Sequence, residues 1–188
     1  MLILIRATMV AALCTVAAAP AAATQWTVVP EASRISFSGS HAGRAFTGWF
    51  EKWSADITFD PADLAGSKAV VRVDLASTST GDATFDKTLP TSDWLDTARS
   101  ATATFETTAF RTTGAGAYEA DGSLEMRDMK LPVTLAFAVK IEGDTAHMSG
   151  RARVKRLDFG IGKGADAGGT WVSLEIPLEI TVVARRKD

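Results

Sequence analysis

An all-β fold of eight or more antiparallel strands is what this sequence predicts, and two observations carry the prediction. Apolar and polar residues alternate with a period of two through nearly all of the chain after residue 23, and short turn-forming clusters separate the alternating runs. Short turns join neighbouring antiparallel strands, which leaves a sandwich or a closed up-and-down barrel; the succession of hairpins favours the barrel. A barrel of about eight strands has room either for its own side chains or for one small ligand.

The chain begins with a segment that reads as an address. Arg6 precedes the run TMVAALCTVAAAPAAA, which ends in Ala21, Ala22 and Ala23 in the manner of a secretory signal peptide, so cleavage is expected near Ala23. Pro20 interrupts the run before it reaches the ~20 residues that a membrane-spanning helix needs; an uncleaved anchor is the alternative. Cys14, the one cysteine, leaves with this segment, and Leu13 before it is not the small residue expected beside a lipid-attachment cysteine. The mature domain, residues 24–188, is therefore expected to be a single exported unit without disulfides, thiol catalysis or cysteine-bound metal. From 20 basic and 22 acidic residues in the whole chain, loss of Arg6 leaves a net charge of about −3, spread in strand-like alternation, and nucleic acid is not an expected partner.

The strands follow in order. RISFSG places Ile35 and Phe37 on one face, and WSADITF places Trp53, Ala55, Ile57 and Phe59 opposite Ser54, Asp56 and Thr58 before Asp60-Pro61 ends the run. AVVRVDLAS sets Val71, Val73 and Leu75 against Arg72 and Asp74. Between Ser77 and Ser100 the alternation lapses; TSDWLDTARS, with a Thr or Ser cap, reads as one or two helical turns, placed to cover an opening. ATATFETTAF then puts Ala103, Phe105 and Thr107 on one face, and YEADGSLEM puts Tyr118, Ala120, Gly122, Leu124 and Met126 on one face. LPVTLAFAVKI is the clearest strand, with Leu131, Val133, Leu135, Phe137, Val139 and Ile141 in phase. TAHMSGRARVKR aligns Ala146, Met148, Ala152 and Val154, and WVSLEIPLEITVV aligns Val172, Leu174, Ile176, Leu178, Ile180 and Val182, with Pro177 implying a bulge or a locally unpaired position. Turns fall at Gly114-Ala115-Gly116, at Arg127 to Lys130 and at Glu142-Gly143-Asp144.

Catalytic patterns are sparse. His147 belongs to the polar face of its strand, and His41 follows a strand end, without the paired spacing of a metal site. No G-x-S-x-G elbow occurs, and the carboxylates point outward with the polar sets. GIGKGADAGG leads into a strand rather than a helix and so reads as a rim loop, with Lys163 a candidate for an anionic head group. Arg151, Arg153 and Lys155 form a solvated strand face. Trp26, Trp49, Trp53, Trp94 and Trp171 fall mostly near strand ends, where indoles suit a boundary between dry and wet surroundings; core packing is the competing account.

The stretches WTVVPEASRISFSGSHAG, FTGWFEKWSADITFDPADLAGSKAVVRVDLAST, DWLD, GSLEMRDMKLPV and RLDFGIG, in this order from about Trp26 to Arg185, resemble the YceI-like family of exported proteins. The resemblance implies an eight-stranded, lipocalin-like barrel with a helical cover, periplasmic, holding a polyisoprenoid (quinone-like or prenyl lipid) or a long-chain fatty amide. A cytochrome b561-type membrane protein is the partner it suggests, and a homodimer is compatible with it. Two departures stand out: Arg99-Ser100 precede Ala101-Thr102-Ala103-Thr104-Phe105, where the family commonly carries a proline, and Asp128 stands where its hairpin usually has glycine. Aspartate tolerates left-handed backbone better than most residues.

The expected function is a non-catalytic carrier without cofactor or metal, lined by Phe37, Val71, Val73, Phe105, Leu124, Met126, Leu135, Phe137, Val139, Met148 and Leu174. His41, Trp94 and Lys163 are the candidates at the mouth. Ala103, Ala120, Gly122, Ala146, Gly150 and Ala152 are small inward residues that leave space for a ligand. A scavenger of hydrophobic toxicants or antibiotics is the alternative, which calls for a wider mouth; an enzyme acting on isoprenoid head groups requires converging acids, bases or a metal.

Overall fold

Period-two alternation becomes the wall of a barrel. In the computed structural model, which describes residues 24–187, eleven strands form one antiparallel sheet. They are β1 (Gln25–Val28), β2 (Arg34–His41), β3 (Arg44–Phe50), β4 (Trp53–Thr58), β5 (Lys68–Asp74), β6 (Thr78–Ser79), β7 (Thr102–Gly114), β8 (Ala117–Met126), β9 (Met129–Glu142), β10 (Thr145–Lys155) and β11 (Glu175–Arg186). Eight of them, in the order β1, β4, β5, β7, β8, β9, β10, β11, close into a barrel through pairing of β11 with β1. The expected leader, with Cys14 and the cleavage position near Ala23, lies outside the described residues.

From β7 to β10 the chain runs as consecutive hairpins, as the sequence predicts. The one between β8 and β9 joins Met126, paired with Met129, through Arg127 and Asp128 at φ 54° and 60°. Both central residues are left-handed, the geometry that matches the twist of a two-residue hairpin. In β7 a bulge between Thr107 and Ala109 shifts the phase, so Phe110 rather than Ala109 joins the interior. Pro177 stands in unbroken register opposite Arg153, without a bulge; on its other side the ladder to β2 begins only at Leu178, so the missing donor falls where no partner is needed.

One part of the wall is not a simple meander. β11 pairs with β2 over Leu178 to Thr181 and with β1 over Ala184 to Arg186. Between β1 and β2 a 3₁₀ turn at Pro30–Ala32 breaks the chain direction, and Ser33 fills the gap: its hydroxyl accepts from Val183 N at 3.0 Å and donates to Val29 O at 2.7 Å. β2 then carries β3, and β3 carries β6, as an arm beside the ring.

The cover differs from its sequence expectation. The helix, α1, spans Ala83–Thr88, where the Asp82 carboxylate accepts from Thr84 N and Phe85 N. The expected helical turns at TSDWLDTARS are instead linked turns. The hydroxyl read as an N-cap works backwards: Thr91 Oγ1 donates to Thr88 O, closing the end of α1. Asp93, which would sit in a first helical turn, accepts from Gly164 N and Ala165 N across the rim, and Asp96 turns left-handed at φ 51°.

Close packing fixes at least one small inward residue. A Cβ on Gly122 would lie 2.5 Å from the Glu106 carbonyl oxygen and 2.6 Å from the Phe105 ring. Gly122→Ala is therefore expected to destabilise the barrel by about 1–3 kcal/mol, read as a lower urea midpoint at unchanged slope.

Candidate functional site

Burial inside the barrel is divided. One cluster (Trp26, Phe59, Tyr118, Ala146, Val182 and Ala184) packs one end, and a second (Leu75, Ala103, Met126, Val154 and Phe159) packs beneath the cover. At the first end the rings of Phe59, Phe110, Tyr118 and Phe137 sit 5.4 to 6.2 Å apart, mostly edge to face. Between the clusters lies a cavity of about 300 Å³, at the lower end of the range for small-molecule sites. Leu135, Phe137 and Val139 face this space yet are only half-buried, because part of their surface meets the cavity instead of other side chains.

Ten of the eleven expected lining residues border the cavity: Phe37, Val71, Val73, Phe105, Leu124, Met126, Leu135, Phe137, Val139 and Met148. Leu174 does not. It is 44% exposed and precedes β11, which starts at Glu175 rather than near Trp171. The alternation runs on through a loop: Leu174 O accepts from Arg156 N, and the Leu174 side chain folds over Gly169, whose absent Cβ would meet it at 2.6 Å. Among the candidates for the mouth, Trp94 borders the cavity from the cover. His41 instead packs its ring 5.3 Å from Phe85 of α1, and Lys163 is exposed on the rim loop; neither lines the interior.

The lining is dry in a strict sense. Besides the indoles of Trp26, Trp53 and Trp94, its polar members are Thr78, Thr107 and Arg156. Thr78 Oγ1 donates to Leu75 O at 2.7 Å, and Thr107 Oγ1 accepts from Ala69 N at 2.8 Å. Arg156, 1% exposed, donates to the carbonyls of Ser173, Ile161, Asp166 and Val172 and to the Asp166 carboxylate at 2.8 Å, with Trp94 across its face at 5.9 Å. Thr78, Thr107 and Arg156, and the Trp26 indole whose Nε1 donates to Phe59 O at 2.9 Å, thus have protein partners, so the space favours apolar contact.

Arg156 is the residue that pattern reading missed. It looks like one more member of the Arg151, Arg153, Lys155 series, but two adjacent cations break the alternation, and this is the available signal that the strand ends and the side chain turns inward. With Asp166 it organises the rim loop. Asp166 accepts from Val172 N and Thr170 N at 2.8 Å and from Trp171 N at 3.2 Å. These backbone donors, Val172 foremost, together with the Arg156 guanidinium, hold its carboxyl below the usual carboxylate range against the opposing effect of burial.

The cover is tied to the barrel from several sides. Gly162 N donates to Asp93 O at 2.6 Å, Arg127 Nη1 donates to the carbonyls of Ser92 and Trp94, and Arg99 pairs with Asp128. Asp128, at the position where the hairpin departs from the pattern of its resemblance, thus serves as an anchor for the cover.

Comparison with known proteins gives a consistent result. The YceI-like domain matches residues 26–184. UPF0312 proteins of Pseudomonas fluorescens and Azotobacter vinelandii are 32% and 31% identical over 152 residues, covering 77% of this chain and 79% of theirs. BcnA of Burkholderia cenocepacia superposes with a TM-score of 0.80 at 28% identity, over 83% of this chain and 98% of that one. A polyisoprenoid-binding domain from Saccharophagus degradans, implicated in plant cell wall breakdown, shares the fold with a TM-score of 0.68 at 14% identity, over 87% and 99% of the two chains.

A depressed carboxylate stabilises the fold where it is ionised. The stability difference between the native chain and Asp166→Asn is expected to be fully present above the unfolded aspartate pKa of about 3.9. It should shrink as pH falls below that value through the lower folded pKa, as measured by thermal melting between pH 2 and 7.

Proposed function

The chain belongs to the YceI-like family, and we propose that it is a non-catalytic periplasmic carrier whose barrel takes the apolar chain of a polyisoprenoid or a long-chain amide. The observation that carries this reading is the apolar cavity between two separated core clusters, whose Thr78, Thr107 and Arg156 are already hydrogen-bonded within the protein. The Saccharophagus domain that binds polyisoprenoid shares this fold, which supports the ligand class.

Energy favours such an occupant without any head-group contact. Burying about ten carbons contributes roughly 8 kcal/mol at 0.8 kcal/mol per methylene, before ordering costs. A scavenger of unrelated compounds calls for a broad mouth, and the cover here is held by the Asp93, Arg127 and Arg156 contacts. Export rests on the leader-like segment ending near Ala23. A cytochrome b561-type membrane protein remains the partner to test by co-purification, and a homodimer by light scattering.

Native mass spectrometry of the protein purified from the periplasm, followed by organic extraction, is expected to release an apolar chain; a barrel that stays empty when offered isoprenoids and fatty amides defeats the reading. Phe137→Asp, which places a charge in the cavity wall, should weaken retention at least about a hundredfold. His147→Asp, on the exposed face of β10, should leave retention within about twofold. Equal retention by the two folded variants, checked by circular dichroism, rules out the interior as the binding site.

A further inference from the structure

The barrel's two ends are closed by packing and by hydrogen bonds, but its side wall is not continuous. Because β11 changes partner at Ser33, β1 and β2 diverge, and the strands they carry diverge with them: β4 on β1, β3 on β2. β4 pairs with β1 only at Ile57 and Thr58; from Trp53 to Asp56 its ladder partners lie on β5 alone. The connection Glu51-Lys52 closes the upper corner, where Glu51 N donates to Ser77 O at 3.0 Å. A slot therefore lies in the wall, framed by the Pro30–Ala32 turn, the end of β3 and the first half of β4.

An outer cleft of about 940 Å³ sits over this slot. Five residues, Trp26, Phe50, Trp53, Ala55 and Ile57, border both this cleft and the interior cavity. At Phe50, Trp53 and Ala55, outside and inside are thus separated by one layer of side chains with no β1–β4 ladder beside it, while Trp26 and Ile57 pair at the edge of the slot. The cleft is cationic: Arg34, Lys52, Lys68 and Lys187 line it against Glu51 and Asp56, and Asp56 is already paired with Arg72 at 2.8 Å.

Cavity size gives the slot a use. At roughly 10–15 Å³ of cavity per water-sized group, 300 Å³ holds on the order of twenty to thirty non-hydrogen atoms, so a longer chain keeps part of itself outside. Resting on the carrier reading, we infer that an apolar chain enters and leaves sideways through this window, displacing Trp53, and that its outer end is anionic and seated among Arg34, Lys52 and Lys68.

The test follows release of cis-parinarate from the loaded protein into phosphatidylcholine vesicles by stopped-flow fluorescence. Trp53→Ala is expected to speed release about tenfold and Ala55→Phe, which narrows the slot, to slow it by a similar factor, whereas Asp93→Ala at the cover changes it by less than about twofold. Should Trp53→Ala not fold, Ala55→Phe alone decides. Faster release from Asp93→Ala with no response to the window variants overturns the side entrance while leaving the carrier intact; failure of the native chain to bind parinarate, isoprenoids and fatty amides alike removes both. For the seat, the double variant Lys52→Glu, Lys68→Glu should weaken parinarate about fivefold and the corresponding alcohol by less than twofold. Equal effects on acid and alcohol overturn the anionic end.

Discussion

Everything in this molecule depends on one strand having two partners. A closed sheet removes the exposed edges that make β-structure prone to association, and here closure is achieved by β11, which meets β2 along its middle and β1 along its last residues. Ser33 makes the change possible by serving Val183 where neither strand does. Closure forces half of all strand residues inward, and their summed volume then decides whether the interior is solid or hollow. The small residues at Ala120 and Ala152, outside both packed clusters, leave it hollow in the middle, while rings and branched chains consolidate the ends.

The hollow is kept dry by placing polar groups where they satisfy one another. Arg156 is the sharpest case, since a buried guanidinium is tolerable only with its donors engaged. It reaches four backbone carbonyls and one carboxylate, and so ties the rim loop into a fixed shape. That loop in turn receives Asp93 from the cover. The polar network is satisfied within the protein and supports the cavity wall, of which Arg156 is a part.

Much of this was legible in the sequence because a strand's two faces repeat every second residue. The inward sets of β5, β8, β9 and β10 could be read directly, and with them ten of the residues that border the cavity. Reading failed where something other than period decides. Leu174 keeps phase with β11 but belongs to a loop shaped by Arg156 and Asp166, which lie far from it in the alternation. The helix of the cover follows Asp82 rather than Thr91, because a hydroxyl can serve the end of one turn as easily as the start of the next. The arm made by β2 and β3 has no signature at all in the pattern, for its strands alternate like any others; only the Pro30–Ala32 turn and the serine after it hint that the chain leaves the ring.

Three indoles border the interior at different heights: Trp26 at the packed end, Trp53 in the wall and Trp94 under the cover. Ultraviolet excitation of these rings is transferred to an absorbing guest with an efficiency that falls steeply with separation. The protein therefore carries a built-in optical ruler, on which the depth and orientation of a conjugated occupant can be read from its own emission without any attached dye.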